Sequence, residues 1–253
     1  MCNAAIVATL VVAGVVGTST QIADPAAGVL AAAREALGGE KKLAAVKTLV
    51  ATGRTKQLRG NNLAAIEFEI AMELPDKYVR KDEVPLTESD ATTAGFNGST
   101  LILIPAPANA APARLAAVKQ DAERYMLGFL ALPSSTATMK YVGKAEAPEG
   151  KADVVDISYP DKTTLRLIVS ASTHLPIMVS WQAPAAAGRR GADAAAQPGE
   201  SRLYFGDYRD VGGQQLPFFL RRAVGADTVE ETTFDKFRIN TKIDPKKFAP
   251  PAK

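Results

Sequence analysis

Residues 66–74 read Ile-Glu-Phe-Glu-Ile-Ala-Met-Glu-Leu, with an apolar side chain at every second position. Successive side chains of a β-strand point to opposite faces, so Ile66, Phe68, Ile70, Met72 and Leu74 share one face. Glu67, Glu69, Ala71 and Glu73 occupy the other, which must meet water or paired charge. The pattern demands an antiparallel sheet with one apolar and one polar side. A second sheet, a helix or a ligand must cover the apolar side. Which of these covers it decides what the chain can do.

The rest of the chain supplies candidates. Pro25 to Leu37 is alanine-rich with apolar residues at helical spacing, and Gly38-Gly39 closes it. Glu40 to Val46 extends this by a turn or two. Thr48 to Leu58 reads as a strand, Gly60-Asn61-Asn62 as a turn, and Pro75-Asp76-Lys77 as the turn after the alternating strand. Asn97-Gly98 between two short apolar runs predicts a tight hairpin. Ala113 to Leu130 then carries a helical stripe: Leu115, Val118, Ala122, Tyr125, Met126, Phe129 and Leu130. That stripe faces a sheet. From Thr138 onward, strands separated by Pro, Gly and Asp turns recur about every ten residues, the rhythm of a meander. In the last of them, Thr228 to Ile243, Phe237, Ile239 and Ile243 share a face with Val229 while Phe234 opposes it, which predicts a bulge near Asp235. The tally is ten or eleven antiparallel strands, an N-terminal helix and a mid-chain helix.

Composition removes whole classes of function. Thirty basic residues against 27 acidic leave a net charge of +3, with both signs interspersed and no dense basic block, which argues against nucleic-acid binding. Residues 1–23 hold no charged side chain and carry an apolar run, Ala4 to Val16, ahead of Ala23-Asp24-Pro25. This reads as a secretory signal peptide, or as an uncleaved anchor, although the run is short for a membrane span. The single cysteine, Cys2, lies within it, so residues 24–253 contain neither disulfide nor thiol chemistry. Those residues read as one domain, with an Ala/Gly/Pro/Arg-rich, aperiodic stretch at 183–199 expected to be a flexible insertion.

The reactive inventory is nearly empty. His174 is the sole histidine and has no partner histidine or cysteine with which to share a metal. No nucleophile elbow, phosphate loop or dinucleotide fingerprint occurs. Carboxylate pairs such as Glu67 with Glu69 lie on a strand's polar face, whereas glycosidic chemistry needs two carboxylates facing across a cleft. Trp181 sits on a strand with Ile177 and Val179, as core or cavity wall. The expectation is binding without catalysis, metal or cofactor.

The segment Met72-Glu73-Leu74-Pro75-Asp76-Lys77-Tyr78-Val79-Arg80-Lys81 resembles the strand–Pro-x-Lys-aromatic-x-Arg turn of outer-membrane lipoprotein carriers of the LolA type. Asp207-Tyr208-Arg209, Gly212-Gly213, Leu216-Pro217 and the run into Asn240-Thr241-Lys242-Ile243-Asp244 and Phe248 are similar too, in the same order. The resemblance implies a mainly β fold with two helices: an unclosed antiparallel β-barrel of about eleven strands under a helical lid. It also implies a periplasmic location and a cavity for lipid or lipoprotein acyl chains. The same fold serves envelope regulators, so a protein–protein sensor or scaffold with a solid core is the alternative. In the carriers an arginine on an early strand helps hold the lid, and Arg54 lies in a comparable strand. The insertion at 183–199 departs from the carrier pattern.

The expected ligand-binding set is therefore Ile66, Phe68, Ile70, Met72 and Leu74 on the sheet, Leu115, Val118, Tyr125, Met126 and Phe129 on the lid, and Trp181 on a neighbouring strand. The expected partners are acyl chains or lipoproteins, with an envelope protein as a further possibility, and the chain is expected to be a monomer. Methionines on both surfaces suit an adaptable apolar site.

Overall fold

The structure, a computed structural model, describes residues 24–58, 65–85, 90–107, 112–147, 150–182 and 199–250. The expected signal segment, the Gly60-Asn61-Asn62 turn and residues 183–198 of the expected insertion lie outside the described residues. Helices α1 (Pro25–Ala36) and α2 (Glu40–Ala44) come first, and α3 (Pro112–Leu130) divides the strands into two groups. Before it run β1 (Thr48–Gln57), β2 (Ala65–Glu73), β3 (Lys77–Glu83), β4 (Thr92–Asn97) and β5 (Thr100–Ile104). After it run β6 (Thr138–Ala147), β7 (Gly150–Ser158), β8 (Thr164–Ser170), β9 (Pro176–Gln182), β10 (Glu200–Asp210), β11 (Gln215–Val224) and β12 (Asp227–Ile239). A single 3-10 turn, Pro245–Phe248, follows. No helix among the described residues is long and apolar enough to cross a membrane.

All twelve strands belong to one antiparallel sheet in the order β5-β4-β3-β2-β1-β12-β11-β10-β9-β8-β7-β6. Two meanders are thus joined at the centre by the first and last strands, and the free edges are β5 and β6. Helix α3 is the segment that links those edges in sequence, so it must cross the open side of the curved sheet. This is the unclosed barrel with a helical lid expected from the sequence, with twelve strands rather than ten or eleven. Short arms such as Thr100–Ile104 pair along their full length and count as members of the sheet.

Local chemistry sets the boundaries. The Asp24 carboxylate accepts from the Ala26 N–H at 3.0 Å and caps α1, with Pro25 in its first turn. Gly38 and Gly39 leave the helix at φ 135° and 92°, which a side chain would oppose. The expected bulge in the last strand is present: Thr52 pairs with Lys236 and Gly53 with Phe234, leaving Asp235 as the extra residue. That shift is what lets Phe234 and Phe237 both enter the core.

Two sequence expectations are corrected. Strand β12 ends at Ile239 rather than Ile243, because Asn240 takes φ 54° and its side chain binds back to Lys47 N and Ala45 O. Ile243 consequently leaves the face of Phe237 and packs on the convex side with Val50, Ala71, Val79, Ile102 and Phe248. The β4–β5 hairpin turns at Gly98-Ser99, one residue later than expected, and Asn97 remains in the strand opposite Thr100.

The polar face of the 66–74 strand is paired rather than merely wet. Glu69 holds Lys247 and, at 3.8 Å, Arg238, while Glu67 lies 3.6 Å from Arg54 and Glu73 bonds Lys77 at 2.7 Å. Glu69 thereby pins the 3-10 turn over the apolar patch that Ala71 shares with Phe248.

Candidate functional site

The concave face of the sheet and the inner face of α3 form one buried cluster. Phe68, Ile70 and Met72 belong to it, together with Val118, Tyr125, Phe129 and Trp181. The helix meets the sheet through aromatic rings: Phe129 stands edge-on to Phe234 at 5.7 Å and to Phe237 at 5.4 Å, and Tyr125 stacks beside Tyr78 at 6.4 Å. Phe68 in turn meets Phe234 at 5.4 Å. Below the middle of α3, then, the interior is filled by side chains in direct contact. Ile66 lies outside this cluster and is half-buried near the end of its strand. Leu74, Leu115 and Met126 are partly buried at its margin.

The two ends of α3 are held differently. At the C-terminus, Arg34 of α1 donates to the Leu130 carbonyl at 3.0 Å, placing a cation on the negative end of the helix dipole. Gly128 meets the Phe205 ring so closely that an added Cβ would lie 2.0 Å from a ring carbon. This end is fixed. Toward the N-terminus, Val118 is buried, while Ala113, Arg114, Ala117 and Lys119 face solvent. Among the side-chain contacts there, Gln120 donates to Thr163 at 2.7 Å and to Asp161 at 3.2 Å, and the Lys119 ammonium lies over the Phe96 ring.

Midway along the helix the arginine that meets the lid is Arg80 on β3, not Arg54. Arg80 donates to the Tyr125 hydroxyl and to Thr55, each at 3.0 Å, and to Asp82 at 2.8 Å. Its guanidinium also sits 4.6 Å from the Phe68 ring centroid. Arg54 points to the other face and remains largely exposed. Alternation along β3 carries the signal for this residue, since Tyr78 and Arg80 share the inward face that Met72 and Ile70 pair with. Arg124, which the helical stripe left outside, is buried and lies 3.9 Å over the Trp181 ring. Burial pushes its ionisation downward, opposed by the charge of Asp121 beside it. Trp181 is thus a covered platform, with Arg222 5.5 Å away.

Beside the N-terminal half of α3 lies an open groove of about 510 Å³. Its apolar lining comes from Leu115, Ala122 and Met126 of the helix, Phe96 of β4, Leu165 of β8 and Pro75 of the β2–β3 turn. Of the residues expected from the sequence, Leu115 and Met126 line it, whereas Phe68, Ile70, Met72, Val118, Tyr125, Phe129 and Trp181 pack in the closed core. The sequence reading missed Phe96 and Leu165, whose strands it placed without asking which end of them reached the helix.

The groove also contains Glu123, whose carboxylate accepts from the Tyr159 hydroxyl at 3.3 Å. Burial raises the Glu123 carboxyl above its ordinary value, against hydrogen bonds from Tyr159 and Ser134. The native state therefore holds this proton more tightly than the unfolded chain does. The resulting stability is fully present below the ordinary carboxylate value and is lost as pH rises through the raised native value. Glu123→Gln is expected to flatten that part of the pH–stability curve in urea unfolding from acid to neutral pH. An unchanged slope would assign it to other groups.

Among the described residues no group of His, Cys, Asp and Glu could hold a metal ion. His174 stands in its turn at φ 58° and borders a shallow depression with Tyr141 and Asp153.

No family model matches the chain, and no curated protein matches it. Solved structures do. A LolA superfamily protein from Nitrosomonas europaea superposes with a TM-score of 0.57 at 13% identity, over 88% of this chain and 97% of its own. A domain described as outer membrane lipoprotein-sorting, from Vibrio parahaemolyticus, gives 0.52 at 11% identity, over 88% and 97%. A DUF1329 family protein from Desulfovibrio piger gives 0.52 at 9% identity, over 89% and 98%. Near-complete coverage of both partners places the unclosed sheet and its crossing helix together: the chain has a LolA-like fold.

Proposed function

We propose that this protein is a non-catalytic, periplasmic binder or carrier of acyl chains, which it takes into the groove beside the N-terminal half of α3. The observation that carries this reading is the groove itself. Its volume falls within the range of about 300–1,000 Å³ usual for small-molecule sites, and its walls are mostly apolar. Each methylene transferred from water into such a wall contributes about 0.8 kcal/mol. The anchoring of α3 supports the same reading, because a helix fixed at its C-terminus and lightly tethered at Gln120 can lift at the other end. Lifting would extend the groove toward Val118 and the core beneath.

A neutral naphthylamine probe tests the site. It is expected to bind the purified protein, and Met126→Asp is expected to weaken that binding by at least about tenfold, some 1.4 kcal/mol, without unfolding the chain. Met126 suits this test because it is only partly buried; Phe68→Asp would place a charge in the aromatic core and unfold the protein instead. Absence of probe binding at high micromolar concentration would sink the reading. The filled interior under the middle of α3 favours a second reading, an envelope sensor that binds a protein partner over a solid core. Native mass spectrometry separates the two: co-purified lipid supports the carrier.

A further inference from the structure

The groove beside α3 has acids with no cations to match them. Asp161, at the β7–β8 turn, accepts from the Thr163 N–H at 2.9 Å and from Gln120. Glu123 accepts from Tyr159 and from Ser134. Every one of these donors is neutral. Asp76, on the exposed β2–β3 turn, completes the set. Other carboxylates of this sheet, Glu69, Glu73, Asp82 and Asp156 among them, are paired with lysine or arginine. Among the described residues none of the three groove acids has such a salt bridge. Among the described residues the cation that lines the groove is Lys119, which lies 5.4 Å from the centroid of the Phe96 ring. Hydrogen bonds to Asp161, first from the Thr163 backbone, hold its carboxyl below the ordinary range, so it is ionised.

We propose that the groove takes a single-chain amphiphile whose head group carries a positive charge, and that it discriminates against anionic heads such as a free fatty-acid carboxylate. This rests on the acyl-chain reading above and specifies the head group. Three carboxylates against one ammonium leave the lining net negative, and neutral donors fix two of them without cancelling their charge. An alkyl chain along Leu115, Met126 and Leu165 brings its head to the rim where Asp76 and Asp161 lie. A cation arriving there also favours the ionised form of Glu123. An anionic head would meet the same groups as repulsion in a partly desolvated site, where charge interactions are stronger than in bulk water.

Three amphiphiles with the same twelve-carbon chain test this: dodecyltrimethylammonium, dodecyl maltoside and dodecanoate. Each would displace the neutral naphthylamine probe from the full-length protein, below its critical micelle concentration and at low salt. The cationic head is expected to bind about tenfold more tightly than the carboxylate, with the maltoside between. That gap should narrow as salt is raised. The triple variant Asp76→Asn, Glu123→Gln, Asp161→Asn, checked for native folding by circular dichroism, is expected to remove the preference while still binding the maltoside. Equal affinities, or tighter dodecanoate, would overturn the head-group assignment and leave the groove standing. A preference that persists in the triple variant would overturn its location. No displacement by any of the three, the maltoside included, would instead overturn the acyl-chain reading on which it rests.

Discussion

Phe129→Ala is expected to lower the unfolding free energy by about 3–5 kcal/mol, the largest loss from any single truncation in the lid. The ring is fully buried and contacts three others: Tyr125 on its own helix, and Phe234 and Phe237 on β12. Those two rings lie only 4.7 Å apart because the bulge at Asp235 brings both inward. Removing Phe129 opens a cavity bounded by a helix tied down through Arg34 and a strand in the middle of the sheet. Neither can move to fill it. Urea unfolding with a shared m-value would measure the loss. A change under about 1 kcal/mol would mean that α3 does not pack on the sheet as described.

Replacing Arg80 by methionine comes next, with an expected loss of about 3 kcal/mol. The substitution keeps much of the apolar stem but strips partners from Tyr125, Thr55 and Asp82 at once. Most of the cost comes from what remains: a buried tyrosine hydroxyl and a carboxylate left without its guanidinium. The side chain links β1, β3 and α3, so amide exchange should quicken along α3 more than in β10 and β11. Uniform quickening would make Arg80 a general stabiliser rather than a tie for the helix.

Much of the fold was legible because its signals are periodic. Alternation sets the inward face of β2, the 3.6-residue stripe sets the inward face of α3, and the opposed parity of Phe234 and Phe237 requires a bulge. What a strict period cannot register is a residue that breaks it for a partner elsewhere. Arg124 falls off the stripe yet is buried, because Trp181 on a distant strand offers it a ring. Arg80 sits in a charged run, where alternation from Tyr78 puts it on the inward face opposite Ile70 but names no partner for its charge. The groove was the least legible feature. Its walls come from the ends of β4 and β8 and the β2–β3 and β7–β8 turns, which meet only through the curvature of the sheet. Curvature leaves no mark in hydrophobic spacing. The sequence therefore named Phe68, Ile70 and Met72 as ligand contacts, where the structure has them against protein side chains.

The pairing of the first strand with the last bears on how such a chain is completed. Leu49 lies opposite Ile239 at the middle of the sheet, so the backbone groups of β1 on that side wait for a partner until the final strand has been made. A chain delivered from its N-terminus exposes that bare edge throughout its emergence, with long-range contacts that form slowly. Loss of β12 would do more than shorten the protein. It would part the sheet along its midline into a five-stranded and a six-stranded piece, linked through α3 and through the N-terminal helices, where Leu37 accepts from the Gln215 N–H. The last stretch of the chain is thus the clasp of the whole assembly, and a product cut short before it has no centre.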